Sequence, residues 1–299
     1  MSQKIQAQID NYLKYQENFK TFSKHSLKAY RTDLEQAFAS NLNLVCSPEE
    51  LWGHSRGAVQ AWASLSLASR NRKIATLKSF FNWLFEEKLI QTNHSNQLVC
   101  PKVPKKIPHF ISVDEVIAVL KYLSGSFKTE SDQKKSEFQK TLFLVLYGAG
   151  LRISEACNLK WKQINLTEQK ILVHGKGNKE RYAVIPNFCV EHLKHFEKKY
   201  KNSEAVFLFG EKALNPRTGF ELIRNLGAAA GLTNNLHPHA LRHSYATHLL
   251  ASGTNLRTLQ MLLGHDSLQA TEKYTHLSVD HLARLVEKTH PLTKLKLSS

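Results

Sequence analysis

Residues 170–185 read KILVHGKGNKERYAVI and contain the clearest strand pattern of the chain. Two segments of strand-forming residues, 170–174 and 180–185, flank a turn rich in glycine and lysine. This arrangement is typical of a β-hairpin. The sequence therefore predicts a small antiparallel sheet, with Lys176 between two glycines in its turn.

Outside this hairpin, apolar residues recur every three or four positions, the spacing of amphipathic helices. In the first hundred residues this spacing predicts four helices, at 5–19, 26–40, 58–64 and 69–87.

The second half of the chain follows the same spacing. It predicts a helix from Ser112, a polar loop near 124–135, an apolar helix that leads to Tyr147, and further helices from Val190 onward. The predicted fold class is therefore mainly α, with one small antiparallel sheet.

A segment with three prolines, at residues 93–108, interrupts the helical spacing. Proline removes a backbone donor and disfavours helix, so this segment is predicted to be an extended linker. A length of 299 residues also favours two compact units. We expect a helical N-terminal domain at 1–92 and a second domain at 109–299.

The chain is strongly basic, with 41 Lys and Arg against 25 Asp and Glu and a formal net charge of +16. The excess is shared, because residues 1–107 hold 15 basic and 8 acidic residues and the remainder holds 26 and 17. Such a balance favours a polyanionic partner, either nucleic acid or an anionic membrane surface. Both halves are expected to contact it.

Several classes of protein are disfavoured. The first twenty residues lack the apolar core of a signal peptide, and the longest apolar run, 141–151, is too short to span a bilayer. The four cysteines are far apart and form no C-x-x-C pair, so neither a zinc site nor a disulfide framework is expected. A soluble cytoplasmic protein with four reduced thiols is predicted.

The segment 236–243, LHPHALRH, concentrates chemistry-bearing side chains. His239 and Arg242 are three positions apart and would project from one face of a helix, where a proton-transfer group and a fixed cation could meet one substrate. His239 and His243 also have the i, i+4 spacing of a metal pair. No clear third ligand follows, so the metal interpretation is the weaker alternative.

Two further residues come later in the chain. His265 ends the segment Leu-Gly-His at a predicted helix end, and Tyr274 follows nine residues later. A single tyrosine at such a position is usually a packing residue. Its interpretation changes only in combination with the other motifs.

Five motifs occur in an order that resembles the tyrosine recombinases. They are GLRISE at 150–155, GKGNKER at 175–181, HALR at 239–242, LGH at 263–265 and Tyr274. Within that family the chain is most similar to the bacterial Xer recombinases. SLKAYRTDL at 26–34 and NRKIATLKSFF at 71–81 resemble their N-terminal DNA-clamp domain, so the resemblance covers nearly the whole chain.

The resemblance implies that the hydroxyl of Tyr274 attacks a DNA phosphate. The products are a 3′-phosphotyrosyl ester and a free 5′ hydroxyl. Arg152 and Arg242 are expected to clamp the nonbridging oxygens, since a guanidinium stays charged and presents a fixed fork of donors.

Three other residues are expected to move or share protons. His239 is the expected proton acceptor for the tyrosine, which is a weak nucleophile at neutral pH. Lys176 is the expected general acid for the leaving 5′ oxygen, and His265 is expected to donate to a nonbridging oxygen. No metal ion, ATP or other cofactor is expected, because the phosphotyrosine conserves the bond energy.

The family resemblance also predicts the architecture and the partners. It implies a two-domain C-shaped clamp on double-stranded DNA, a homo- or hetero-tetramer on two sites, and a C-terminal helix that docks on a neighbouring protomer or in its own domain. Resolution of chromosome or plasmid dimers is expected, with a second Xer recombinase and a septal DNA translocase as partners. A location on the nucleoid, without membrane insertion, would follow.

Three other functions stay open at this point. A mobile-element integrase would use the same residues, a type IB topoisomerase shares the chemistry without pairing two sites, and a DNA-binding module could retain the motifs without activity. The segments 92–95 and 124–135 depart from the Xer pattern, whereas 280–284 and 289–291 favour XerC.

Overall fold

The structure is a computed structural model, and it describes residues 2–20, 22–102, 110–125, 127–175, 180–201, 203–263 and 284–294. The chain divides into two compact units, residues 1–106 and 107–299. Each unit has its own hydrophobic core. The predicted clamp arrangement of the two stays a prediction.

The N-terminal unit is helical apart from one pair of two-residue strands. Its helices are α1 Ile5–Phe19, α2 Lys24–Ala37, α3 Leu51–Ala61 and α4 Leu67–Glu86. Strand β1, Gln3–Lys4, pairs antiparallel with β2, Val45–Cys46. Short 3-10 turns follow at 48–50, 62–64 and 94–97.

The core of this unit forms where the apolar faces of α1, α2 and α4 meet. Tyr12 of α1 is fully buried, packs edge-on against Phe80 with ring centroids 5.2 Å apart, and donates a 2.7 Å hydrogen bond to Ser79. Serine side chains accept from the first turns of α2 and α4, at Ser23 and Ser66. These caps satisfy backbone donors that a helix leaves free at its start.

One buried carboxylate joins α2 to α4. Asp33 accepts hydrogen bonds from Arg72, from Lys73 at 3.1 Å and from Thr76 at 3.1 Å. Lys73 also donates to Gln36. The side chain of Asp33 has no solvent exposure, so these donors replace its water.

In its described residues the second unit has seven complete α-helices, a further helical segment at 284–289, and five strands. The helices are α5 Val113–Leu123, α6 Glu130–Gly148, α7 Ile153–Cys157, α8 Asn187–Tyr200, α9 Pro216–Ala229, α10 Pro238–Ala251 and α11 Leu256–Leu263. The strands are β3 Ile164–Asn165, β4 Lys170–His174, β5 Glu180–Val184, β6 Leu208–Phe209 and β7 Lys212–Ala213.

Helix α6 forms the centre of the second core. Every residue from 141 to 150 is buried, and the helix packs against α5, α8, α9 and α10. A helical segment that is apolar on all sides, as α6 is in its second half, is expected at such a central position. The turn that follows α6 starts the candidate site.

The hairpin prediction is confirmed. Strand β4 pairs antiparallel with β5 from the pair Lys170 and Val184 to the pair His174 and Glu180. A third strand, β3, adds to the other edge of β4, and β6 and β7 form a separate pair. These two-residue strands were not predicted, because they are too short to show an alternating pattern. The fold class, mainly helical with small antiparallel sheets, is confirmed.

Two boundaries were predicted wrongly. The polar loop assigned to 124–135 is helical from Glu130, because Thr129 caps α6 and the first turns of that helix are exposed. Helix α3 begins at Leu51 and not near residue 58, directly after a 3-10 turn that Ser47 and Glu50 cap reciprocally. The first turns of α6 are polar and show no apolar face, whereas α3 starts with the buried Leu51.

Residues 284–294 pack into the second unit. Residues 284–289 are helical, and Val286, His290 and Leu292 are fully buried. The backbone N–H of Asn187 donates to the Glu287 carboxylate at 2.8 Å. Docking of a terminal helix on a neighbouring protomer stays a prediction.

The four cysteines are free thiols, and three of them are buried. Within the described ranges, no helix combines the length and the hydrophobicity needed to cross a bilayer.

Candidate active site

The site starts at the turn between α6 and α7. Arg152 is the residue before α7, and its backbone N–H donates to Glu155 Oε2 at 2.7 Å. Its guanidinium Nη1 donates to Glu155 Oε1 at 2.8 Å. Glu155 therefore holds both the backbone and the side chain of Arg152, while 39% of the Arg152 side chain stays exposed.

Gly150 shapes this turn. Its φ is +62°, and an added Cβ would lie 2.7 Å from the ring of Tyr245. A side chain there would meet both backbone strain and a fully buried ring. Glycine lets the chain pass Tyr245 closely and brings Arg152 to the surface of the core.

Arg181 reaches the same carboxylate from β5. Its Nη1 and Nη2 donate to the two oxygens of Glu155, each at 2.9 Å, and its Nε donates to the carbonyl of Leu262 at 3.4 Å. The Arg181 side chain is 9% exposed. A bidentate pair of this kind is among the strongest and most directional of protein hydrogen bonds.

Arg242 comes from α10. Its Nη1 donates to the carbonyl of Gly150, and its Nη2 donates to the carbonyl of Leu263 at 2.5 Å. Nη1 also lies 3.8 Å from Glu155 Oε2. Arg242 thus joins the turn before α7 to the C-terminal end of α11, where free carbonyls favour a cation.

Three guanidinium groups therefore surround one carboxylate. Burial raises the pKa of Glu155, but hydrogen bonds from Arg181 and Arg152, together with the charge of Arg181, outweigh that effect, so its pKa lies below the ordinary value. Burial, followed by the positive charges of Arg152 and Arg181, lowers the pKa of Arg242 to about 10. With three guanidinium groups around one carboxylate, the cluster has two positive charges in excess.

His239 lies in the first turn of the same helix as Arg242, and its side chain is exposed. Pro238 begins that helix, and the His237 ring accepts from the Ala240 N–H at 3.0 Å. Among the described residues, no three or more His, Cys, Asp or Glu side chains are grouped to hold a metal ion. The pair of His239 and His243 thus has no third ligand in that part of the chain.

The profile of the phage integrase family matches residues 110–281, which is more than half of the chain. A second profile, the N-terminal SAM-like domain of phage integrases, matches residues 9–88. The chain belongs to the phage integrase family.

Curated relatives of this integrase-family chain carry the name tyrosine recombinase XerC. The protein from Thermodesulfovibrio yellowstonii is 32% identical over 97% of this chain and 98% of its own length. The one from Staphylococcus saprophyticus is 34% identical over 92% and 94%. These relatives confirm the predicted likeness to Xer recombinases.

Solved structures of phage and transposon integrases share the fold. A lambda integrase dimer bound to a COC′ core site superimposes with a TM-score of 0.68 at 17% identity, over 89% of this chain and 96% of that chain. The Tn1549 transposon integrase in complex with transposon right end DNA gives 0.67 at 17% identity, over 95% and 94%.

The structure thus brings together two of the six residues predicted for this recombinase, Arg152 and Arg242, and it places His239 one turn away from Arg242 on α10. The other three, Lys176, His265 and Tyr274, lie outside the described residues.

Sequence reasoning missed two members of the cluster, Glu155 and Arg181. Glu155 follows Arg152 by three positions inside GLRISE, the spacing of a glutamate that caps a helix start. Arg181 ends the motif GKGNKER, in which Lys176 alone was predicted to be a site residue.

Proposed function

We propose that the protein is a site-specific recombinase that cleaves and rejoins DNA through a 3′-phosphotyrosyl intermediate at Tyr274 and a Holliday junction. One observation carries the proposal: three arginines converge on one carboxylate and leave two positive charges in excess. A phosphodiester in transfer accumulates negative charge on its nonbridging oxygens, and fixed cations stabilise that charge.

Arg152 and Arg242 are proposed to form the phosphate clamp. Within the described part of the chain, the guanidinium of Arg152 donates to protein through Nη1 alone, so in the proposed clamp its Nε and Nη2 bind the phosphate. Arg242 is held by two backbone carbonyls, which fix the plane of its guanidinium before DNA arrives. Donors fixed in this way need no reorganisation during the reaction.

The proton transfers are proposed for residues beside this clamp. His239, exposed on the first turn of α10, accepts the proton of the attacking tyrosine. Lys176 protonates the leaving 5′ oxygen, and His265 donates to a nonbridging oxygen. The arginines supply the positive charge that a metal ion would otherwise provide.

Duplex DNA is the proposed substrate, and a tetramer on two sites is the proposed assembly. A net charge of +16 fits a polyanionic partner. Among solved structures with this fold, a lambda integrase tetramer is bound to a Holliday junction, with a TM-score of 0.68 at 16% identity. By the same proposal the protein acts on the nucleoid, in the cytoplasm.

Resolution of chromosome or plasmid dimers, and so chromosome partition at cell division, is the proposed biological role. Relatives at 30–34% identity over nearly their whole length are named XerC, which favours this role over integration of a mobile element. A second Xer recombinase and a septal DNA translocase are the proposed partners.

A nicked suicide substrate tests the chemistry. The wild-type chain should form a covalent protein–DNA adduct that survives denaturing electrophoresis, and Tyr274→Phe should bind the DNA but form none. Tyr122→Phe, which changes a partly exposed tyrosine of α5, is the matched control and should react like wild type. Equal trapping by Tyr274→Phe would refute the nucleophile.

A plasmid with two copies of the site separates the proposed recombinase from a topoisomerase. Recombinant circles and four-way junctions are expected, whereas relaxed supercoils without recombinants would support a type IB topoisomerase.

A further inference from the structure

Each of the three guanidinium nitrogens of Arg181 donates a hydrogen bond within the protein. Both terminal nitrogens bind Glu155, and Nε binds the Leu262 carbonyl. The side chain is 9% exposed. A guanidinium this deeply buried, with a protein bond on each nitrogen, presents little surface to DNA, whereas 39% of the Arg152 side chain is exposed.

Arg181 and Arg152 share one oxygen of Glu155. The Nη1 atoms of the two arginines donate to Oε1, at 2.9 Å and 2.8 Å. The bidentate pair with Arg181 also fixes the plane of the carboxylate, since a fork binds in only one orientation. The direction in which Arg152 is held therefore depends on Arg181.

Arg181 also connects the carboxylate to the end of α11. Its bond to the Leu262 carbonyl lies next to the Leu263 carbonyl that holds Arg242. The two arginines of the proposed clamp are thus linked through one buried side chain on β5.

We infer that Arg181 is a positioning residue: it orients the Glu155 carboxylate and the end of α11 so that Arg152 and Arg242 grip the scissile phosphate in one fixed geometry. This inference rests on the proposed function. Without Arg181, the cationic neighbours of the carboxylate among the described residues are Arg152 and Arg242, and the carboxylate draws Arg152 away from the phosphate.

The test compares two DNA substrates. One has the ordinary phosphodiester at the cleavage site, and the other has a methylphosphonate, in which a methyl group replaces a charged nonbridging oxygen. Because the methylphosphonate is neutral, its transition state carries less negative charge for the two clamp arginines to stabilise. A variant with a misplaced clamp should therefore lose most of its defect on the methylphosphonate.

Arg181→Met and Arg181→Lys are the test variants, because methionine removes the fork and lysine keeps the charge but offers a single nitrogen. Both should slow cleavage of ordinary DNA, by about 100-fold for methionine, the scale of a small misplacement of reacting groups. Arg152→Ala serves as the reference for a clamp defect. Arg217→Lys, which alters an arginine of α9 that is 90% exposed, is the matched control and should cleave like wild type.

The deciding measurement is the rate of methylphosphonate cleavage divided by the rate of phosphodiester cleavage. A variant that only folds poorly loses active molecules, which lowers both rates equally and leaves their ratio as in wild type. An elevated methylphosphonate ratio for both Arg181 variants, in the direction shown by Arg152→Ala, supports the inference. An unchanged ratio, or wild-type cleavage by Arg181→Lys, overturns it.

Failure of the proposed function has a different signature. In that case the wild-type chain and Arg217→Lys would cleave neither substrate, and the inference would fall with the function. If wild type cleaves both and the ratio does not change in the Arg181 variants, only the inference is wrong.

Discussion

Two buried carboxylates organise the two units, and they are built differently. Asp33 in the N-terminal unit has two cations, Arg72 and Lys73, and a hydroxyl donor, Thr76. In the second unit Glu155 has three arginines and, among the described residues, no neutral side-chain donor.

The difference lies in how the remaining charge is used. At Asp33 the amide oxygen of Gln36 accepts from Lys73, so neutral groups complete the cluster and one positive charge is in excess. At Glu155 the excess is two. Each cluster has one arginine that is partly open to solvent, Arg72 at 52% and Arg152 at 39% exposure. The first arrangement joins two helices, whereas the second has the larger positive excess, which in the proposed function meets the DNA phosphate.

The largest expected effects come from removing the carboxylates. Asp33→Ala and Glu155→Ala should each lower the stability of their own unit by about 3–5 kcal/mol, because removal leaves buried cations without a partner. Hydrogen exchange should speed up in α2 and α4 for the first variant, and in α7 and α10 for the second. Glu204→Ala, at an exposed ion pair with Lys160, should change neither. Equal loosening of both units by either variant would contradict this division.

Arg152 and Arg72, the partly exposed arginine of each cluster, should differ in their effect on the rate of DNA cleavage. Arg152→Ala should slow strand cleavage by about 10²–10³-fold, the scale for loss of one fixed donor to a transition state. Arg72→Ala removes an arginine of similar exposure from the Asp33 cluster and should leave the cleavage rate unchanged. Single-turnover cleavage at saturating DNA measures both. An equal loss in the two variants would mean that the clusters do not differ in function.

Low pH should destabilise the second unit more than the N-terminal unit, by less than the loss of a carboxylate does. Burial lowers the pKa of His192 to about 4 and of His290 to about 3, whereas the histidines of the N-terminal unit are not buried. A lowered folded pKa contributes stability above the unfolded value near 6.5, and this stability is lost as the pH falls below it. Each of the two histidines should cost the second unit about 2 kcal/mol at pH 5.

Hydrogen exchange at pH 7 and pH 5, corrected for intrinsic rates, measures this effect in each unit. His290→Gln should make the pH dependence of the second unit shallower. If the N-terminal unit unfolds at a higher pH than the second unit, groups other than these two histidines determine which unit is less stable in acid.

Much of the fold could be predicted from local pattern. The hairpin follows from strand formers around a glycine-rich turn, and α1 begins and ends where the apolar spacing places it. The start of α6 was missed because its first turns are polar and exposed and so show no apolar face. Pairing of β1 with β2 joins residues some forty positions apart, which no local pattern indicates.

The candidate site was predictable in part for a similar reason. Arg152, His239 and Arg242 were identified through short motifs in a fixed order. The bonds between Arg181 and Glu155 join residues 26 positions apart, and those between Arg242 and Gly150 join residues 92 apart. Only the tertiary fold shows that these positions meet, so the network among the motifs was not predicted.

The turn at Gly150 limits the mutations that this site can accept. Any replacement adds a Cβ that meets the ring of Tyr245, and the same residue supplies the carbonyl that holds Arg242. A mutational scan of cleavage should therefore find position 150 as intolerant as a reacting residue, although glycine has no side chain to take part. An engineer who moves the GLRISE turn to another scaffold would have to move Tyr245 with it.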